Sequence, residues 1–222
     1  MSSLLMTHQE PGCRVAAIGA SASAAWDAVA GPDLAAPFAV SRPESVEREA
    51  THRAISHAEL LDVPIMIVHV SGRQAMEQIR WAQQRGLKVY GETCPQYIAL
   101  TADDLKGLNM DESGSKYVCS PPPRDRASWD AIWEGLTQGV FQTFSSDHCP
   151  FYFEGPMGKK NAKARTSFRW VPNGIPGVET RLPILWSKGV AEGRITANEF
   201  VALSGGTPSS VTITVKIFVL GP

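Results

Sequence analysis

Two rhythms of hydrophobic and polar positions run through the middle of this 222-residue chain, one helical and one continuously apolar. Pro43 is suited to the first position of a helix. After it, Val46, Ala50, Ala54, Ala58 and Leu61 recur at helical spacing, and Glu44, Glu47 and Glu49 suit the positive end of the helix dipole. Asp62 and Pro64 stop this helix. Ile65-Met-Ile-Val-His-Val70 is apolar on both faces, the pattern of a strand covered on two sides. Ser71 and Gln74 predict a capping box for the next helix. Met76, Ile79 and Ala82 form its buried stripe, and Gly86 is placed to end it.

Farther on, Leu87–Gly91 reads as a second strand and Lys116–Ser120 as a short third one. Trp129, Ile132, Trp133 and Leu136 line one face of another helix, and Phe141–Ser145 forms a strand. Val178–Val190 is helical if Pro183 lies in its first turn. Thr196 and Glu199 form a capping box before Phe200–Leu203. Strand and helix alternating through short connections is the grammar of an α/β fold with a parallel sheet. Right-handed crossovers place the strands' C-terminal ends on one rim, where chemistry collects. Residues 1–40, rich in Ala, Gly and Ser, follow neither rhythm beyond a weak helix around Ala20–Ala30, and residues 204–222 form an atypical tail.

Composition narrows the function. Apolar residues make up 43% of the chain and charged residues 19%, enough apolar surface for a packed core. Lys and Arg total 21 against 22 Asp and Glu, so no electrostatic footprint for nucleic acid or an anionic membrane exists. No apolar run approaches the roughly 20 residues of a membrane span. Cys13, Cys94, Cys119 and Cys149 are widely spaced without a CxxC pair, which predicts reduced thiols in a cytoplasmic protein.

Polar residues at strand ends are the candidates for chemistry. His69 ends the most apolar strand, where an imidazole suits a metal ion or a proton transfer; the competing reading is a core histidine bonded to a carbonyl. Asp147 follows the strand Phe141–Ser145, as a metal ligand, a partner for a cation, or a turn aspartate. His148, next in sequence, is expected on the opposite face. Ser120-Pro-Pro-Pro123 fixes an extended loop able to present Ser120, and Pro172-Asn173-Gly174 is a turn. His52 and His57 read as solvated, and so does the basic cluster Lys159, Lys160, Lys163 and Arg165.

An ordered set of segments carries a family resemblance: Ser41-Arg-Pro-Glu-Ser-Val-Glu-Arg-Glu-Ala-Thr-His-Arg-Ala-Ile55, Ile67-Val-His-Val-Ser71, Tyr90-Gly-Glu-Thr-Cys-Pro-Gln-Tyr97, Tyr117-Val-Cys-Ser-Pro-Pro122, Ser146-Asp-His-Cys-Pro150, Val171-Pro-Asn-Gly174 and Asn198-Glu-Phe-Val-Ala-Leu203. Together they resemble the dihydropyrimidinase and hydantoinase family of cyclic amidohydrolases. The resemblance implies a partial (β/α)8 TIM-type barrel over residues 41–203, about the last three to four β/α units, between the atypical ends 1–40 and 204–222.

By the same resemblance, His69 and Asp147 match the sixth-strand and eighth-strand ligands of a binuclear zinc site, and Asp147 also handles the proton of the attacking hydroxide. Ser120 and Asn173 match residues whose backbone groups hold the substrate's cyclic amide. Thr7-His8-Gln9-Glu10 resembles a remnant of the fifth-strand segment, with His8 as ligand. Nothing in the chain matches the family's first-strand His-x-His pair or its fourth-strand carboxylated lysine. The implied function is hydrolysis of a dihydropyrimidine or hydantoin ring to an N-carbamoyl acid, in a homo-oligomeric family. The alternative is a non-catalytic interaction protein, like the family's metal-free relatives.

Overall fold

The computed structural model describes residues 14–16, 36–107 and 112–205. The predicted helix at 20–30, His8, and the tail beyond 205 lie outside the described residues. Among the described residues, four parallel strands form one sheet in the order β1 (Arg14–Ala16), β2 (Ile65–Ile67), β3 (Val89–Thr93) and β4 (Thr143–Phe144). The α/β reading therefore holds, and β1 falls in a stretch where the sequence predicts no strand. Helices α1 (Ala36–Val40), α2 (Glu44–Leu60), α3 (Arg73–Gln84), α4 (Gln96–Ala99), α5 (Arg126–Thr137), α6 (Arg181–Leu185) and α7 (Ala197–Leu203) complete the order. Among the described residues no helix is long and apolar enough to cross a membrane.

A single apolar core joins the sheet to its helices through Ile55, Ile67, Met76, Ile79, Ile132, Phe141 and Phe144, all buried. Gly91 lets the layers approach: a Cβ there would lie 2.8 Å from a Phe141 ring carbon and 3.4 Å from Ile79. Since strand side chains alternate, Val89 and Thr93 share the face of Gly91, while Tyr90 is on the other face and 41% exposed. A second, smaller core packs Phe38, Leu105, Val118, Ala164, Phe168 and Val171 beneath the long loops.

Several local expectations need correction. The buried face of α2 is Glu47, Ala50, Thr51, Ile55 and Ala58, and Leu61 is exposed. Glu47 is drawn inward because its carboxylate accepts from the Ser71 backbone N–H at 2.9 Å and pairs with Arg124 at 2.9 Å. Ser71 does not cap α3; its hydroxyl donates to Glu47, and the N-cap is Gly72. The Glu44 carboxylate takes over, accepting from the Gln74 N–H at 2.7 Å, as a negative charge at a helix start should. Residues 116–120 are not a strand: Glu112–Tyr117 coils into a 3-10 helix. The helix predicted over 178–190 is α6 followed by a π turn at Trp186–Val190, with Pro183 in the first turn. Gly86 ends α3 at φ 80°, and the Thr196–Glu199 capping box forms as predicted.

Candidate active site

The exits of β2, β3 and β4 are tied together. The Val70 N–H donates to the Glu92 carbonyl at 2.9 Å, and the Ser145 N–H donates to the Thr93 carbonyl at 3.0 Å. His69 lies two residues past β2 and Asp147 three past β4, so both stand on one rim with the end of β3 between them. Both adopt left-handed backbone, φ 46° at His69 and 43° at Asp147. Among described non-glycine residues the one other such case is Asp62, which follows the end of α2. Such conformations cost roughly 1–3 kcal/mol and collect at functional sites. The turn at His69 interrupts the alternation that would carry Ile65 and Ile67 onward into the helix layer. His69 Nδ1 is buried without a hydrogen-bond partner, an expensive state for a polar ring atom.

Asp147 is exposed, and its charge is felt below the rim. Burial, reinforced by Glu92 and Asp147, holds the Cys94 thiol well above its ordinary range against a Ser145 hydrogen bond. Burial likewise raises Tyr97, whose hydroxyl donates to the Pro121 carbonyl at 3.0 Å and braces the proline loop from beneath.

The structure brings Ser120 and Asn173 together: Asn173 Nδ2 donates to Ser120 Oγ at 2.7 Å. One residue after Asn173 and two before Ser120, the Gly174 N–H donates to the Val118 carbonyl at 3.0 Å. That carbonyl also receives Lys159 Nζ at 2.8 Å. The basic cluster therefore divides. Lys159 is 3% exposed, so the reading of a wholly solvated loop is wrong for it. Lys163 and Arg165 are exposed, and Lys160 pairs with Glu154 at 3.0 Å and Glu112 at 3.5 Å. Sequence holds no signal for the burial of Lys159, since its acceptor is a backbone carbonyl 41 positions away. His148 is the other residue whose role the sequence did not reveal. Its Nδ1 accepts from the N–H groups of Gly177 at 3.1 Å and Val178 at 3.2 Å.

Comparison with known proteins decides the kinship. The chain is 41% identical over 211 residues to a D-hydantoinase of Ralstonia pickettii, covering 94% of this chain and 43% of that protein. It is 44% identical over 163 residues to a D-hydantoinase of Geobacillus stearothermophilus, covering 73% of this chain and 33% of that one. Among solved structures, the dihydropyrimidinase of Brevibacillus agri NCHU1002 superposes with a TM-score of 0.72 at 42% identity, over 77% of this chain and 36% of that chain. The chain belongs to the dihydropyrimidinase and hydantoinase family. It spans less than half the length of these relatives. No family model matches it.

Dihydropyrimidinase-family resemblance implies a zinc pair, and the residues present can be tested against it. His69 offers an unpartnered buried ring nitrogen, and Asp147 an exposed carboxylate on the same rim. Imidazole and carboxylate suit zinc. A hydrolytic zinc centre, however, takes three protein ligands plus water. Among the described residues no three His, Cys, Asp or Glu side chains are grouped to hold a metal. The described residues therefore do not fit a complete hydrolytic zinc site.

Proposed function

We propose that residues 41–203 are the C-terminal part of the catalytic barrel, about the last three to four β/α units of a (β/α)8 fold, of a cytoplasmic, metal-dependent cyclic amidohydrolase. The observation that carries this reading is the pair of left-handed residues, His69 and Asp147, at the exits of β2 and β4 on one rim. The Ser120–Asn173 bond supports it, since it would hold backbone groups of both loops against the amide of a small ring.

In this reading His69 and Asp147 are ligands and His8 supplies a further one, with zinc as the metal. The Asp147 carboxylate takes a proton from water as its oxygen bonds to the ring carbonyl carbon. It returns that proton to the ring nitrogen as the C–N bond breaks, leaving an N-carbamoyl acid. The substrate is a dihydropyrimidine or hydantoin, and the working form is a homo-oligomer.

The second reading, a non-catalytic interaction protein, is favoured by one observation: no three-donor cluster exists among the described residues. Metal analysis of the purified chain, followed by a dihydrouracil ring-opening assay with added zinc, separates the two. Stoichiometric zinc and turnover that disappears in Asp147→Asn support the hydrolase. Metal-free protein without turnover leaves the interaction reading.

A further inference from the structure

We propose that His148 is a positioning residue whose ring clamps the Asn173 turn against the β4 exit and so sets Asp147 relative to the Ser120–Asn173 pair. The assignment rests on the reading of Asp147 and Asn173 as site residues.

Three residues after β4, Ser146, His148 and Cys149, dock on the segment that follows Asn173. A Cβ on Gly177 would lie 2.4 Å from the Ser146 carbonyl oxygen, so only glycine lets these backbones touch. His148 forms a parallel bridge with Ile175, and the Cys149 N–H donates to the Ile175 carbonyl at 3.0 Å. A Cβ on Gly174 would lie 2.6 Å from the Cys149 carbonyl oxygen. The His148 ring then closes the far end, with Nδ1 accepting from both Gly177 and Val178.

Asp147 sits between two anchored neighbours, Ser146 against Gly177 and His148 on the N–H groups of 177 and 178. Those anchors hold the unfavourable left-handed conformation at φ 43° in place. The clamped segment begins at Asn173, whose side chain reaches Ser120 at 2.7 Å. One ring therefore governs the spacing between the candidate proton carrier and the candidate substrate loop. The fit is specific to the atom, because Nδ1 is bonded directly to Cγ. An asparagine oxygen can take that place and a glutamine oxygen, one atom farther out, cannot.

The test uses the full chain as wild type and as His148→Asn, His148→Gln and His148→Ala. Amide hydrogen exchange is resolved at Gly177 and Val178, and affinities for zinc ion and for dihydrouracil with added zinc are measured by calorimetry. In the Gln and Ala variants exchange is expected to rise and affinity to fall roughly 10–100-fold, the range for groups that orient a ligand. His148→Asn is expected to restore most of both. Exchange unchanged in all three variants overturns the clamp. Exchange that rises while affinities stay at wild-type values overturns the positioning role and leaves a structural one. If wild-type protein binds neither probe, the hydrolase reading fails by itself, and the exchange pattern with its Asn rescue decides the clamp.

Discussion

Lys159 Nζ donates to the Val118 carbonyl at 2.8 Å while only 3% of the residue stays exposed. A buried ammonium with a neutral acceptor is costly, and burial lowers its pKa from 10.5 to about 8 despite the nearby Cys119 and Cys149. Between those values the unfolded chain holds more protons than the fold, so this group makes stability rise with pH there. The buried Cys119 thiol acts oppositely. Burial pushes it from 9.0 up to about 12, so its contribution is complete below pH 9 and is lost as pH climbs through 12. Urea unfolding of wild type and Lys159→Met at successive pH values separates the two. The difference in stability, wild type minus variant, should be constant below pH 8 and should grow by about 3 kcal/mol toward pH 10.5. A flat difference would place Lys159 in contact with water.

Glu47 anchors a buried charged group that joins three segments. Its carboxylate accepts from the Ser71 N–H and hydroxyl and from Arg124 Nη2, and Arg124 also donates to Ser71 Oγ at 2.9 Å and to the Arg42 carbonyl at 2.5 Å. Both side chains are nearly inaccessible, 7% for Glu47 and 10% for Arg124. Removing one partner strands the other's charge. Glu47→Ala is therefore expected to cost about 3–5 kcal/mol in urea unfolding, and Glu47→Met combined with Arg124→Leu much less.

Those two residues also mark where sequence reading stops. The apolar stripe of α3 and the Gly86 stop are local, set by 3.6-residue periodicity and a left-handed terminus, and both were legible. The face of α2 was not, because a glutamate reads as solvent-facing until Arg124, 77 positions away, is known to meet it. Similarly Ser71 has the right neighbours for a cap, yet Glu44 of another helix outcompetes it for the Gln74 N–H. In the site, His69 and Asp147 were legible as polar residues at strand ends. Their left-handed backbone was not, since no local pattern announces it: the neighbours of Asp147 meet residues 174–178, and His148 bonds Gly177 and Val178, 29 and 30 positions away.

Gly135 lies inside α5, where alanine would ordinarily stabilise a helix by about 1 kcal/mol. Here a Cβ would stand 2.4 Å from a Phe141 ring carbon and 2.9 Å from Met76 Sδ. Overpacking of this kind costs about 1–3 kcal/mol. Gly135→Ala should thus lower stability in urea unfolding. Phe141→Leu in the same background should cost less than Phe141→Leu alone, because it relieves the clash. Additive effects of the two changes would contradict the contact.

Tyr90, the second residue of β3, stands on the sheet face away from α3, 41% exposed, beside its register partner Met66 on β2. An aromatic ring in the centre of a sheet gains from being covered by another apolar surface. The chain as it stands is expected to self-associate through this face, with sedimentation mass rising with concentration. Tyr90→Thr keeps a β-branched strand former while removing the ring, so the fold should persist. The association should weaken roughly tenfold or more, in line with about 1.5–3 kcal/mol for a large buried side chain. A wild-type chain that sediments as a monomer at every concentration, or a variant that associates as tightly as wild type, would show that this face is not where copies meet.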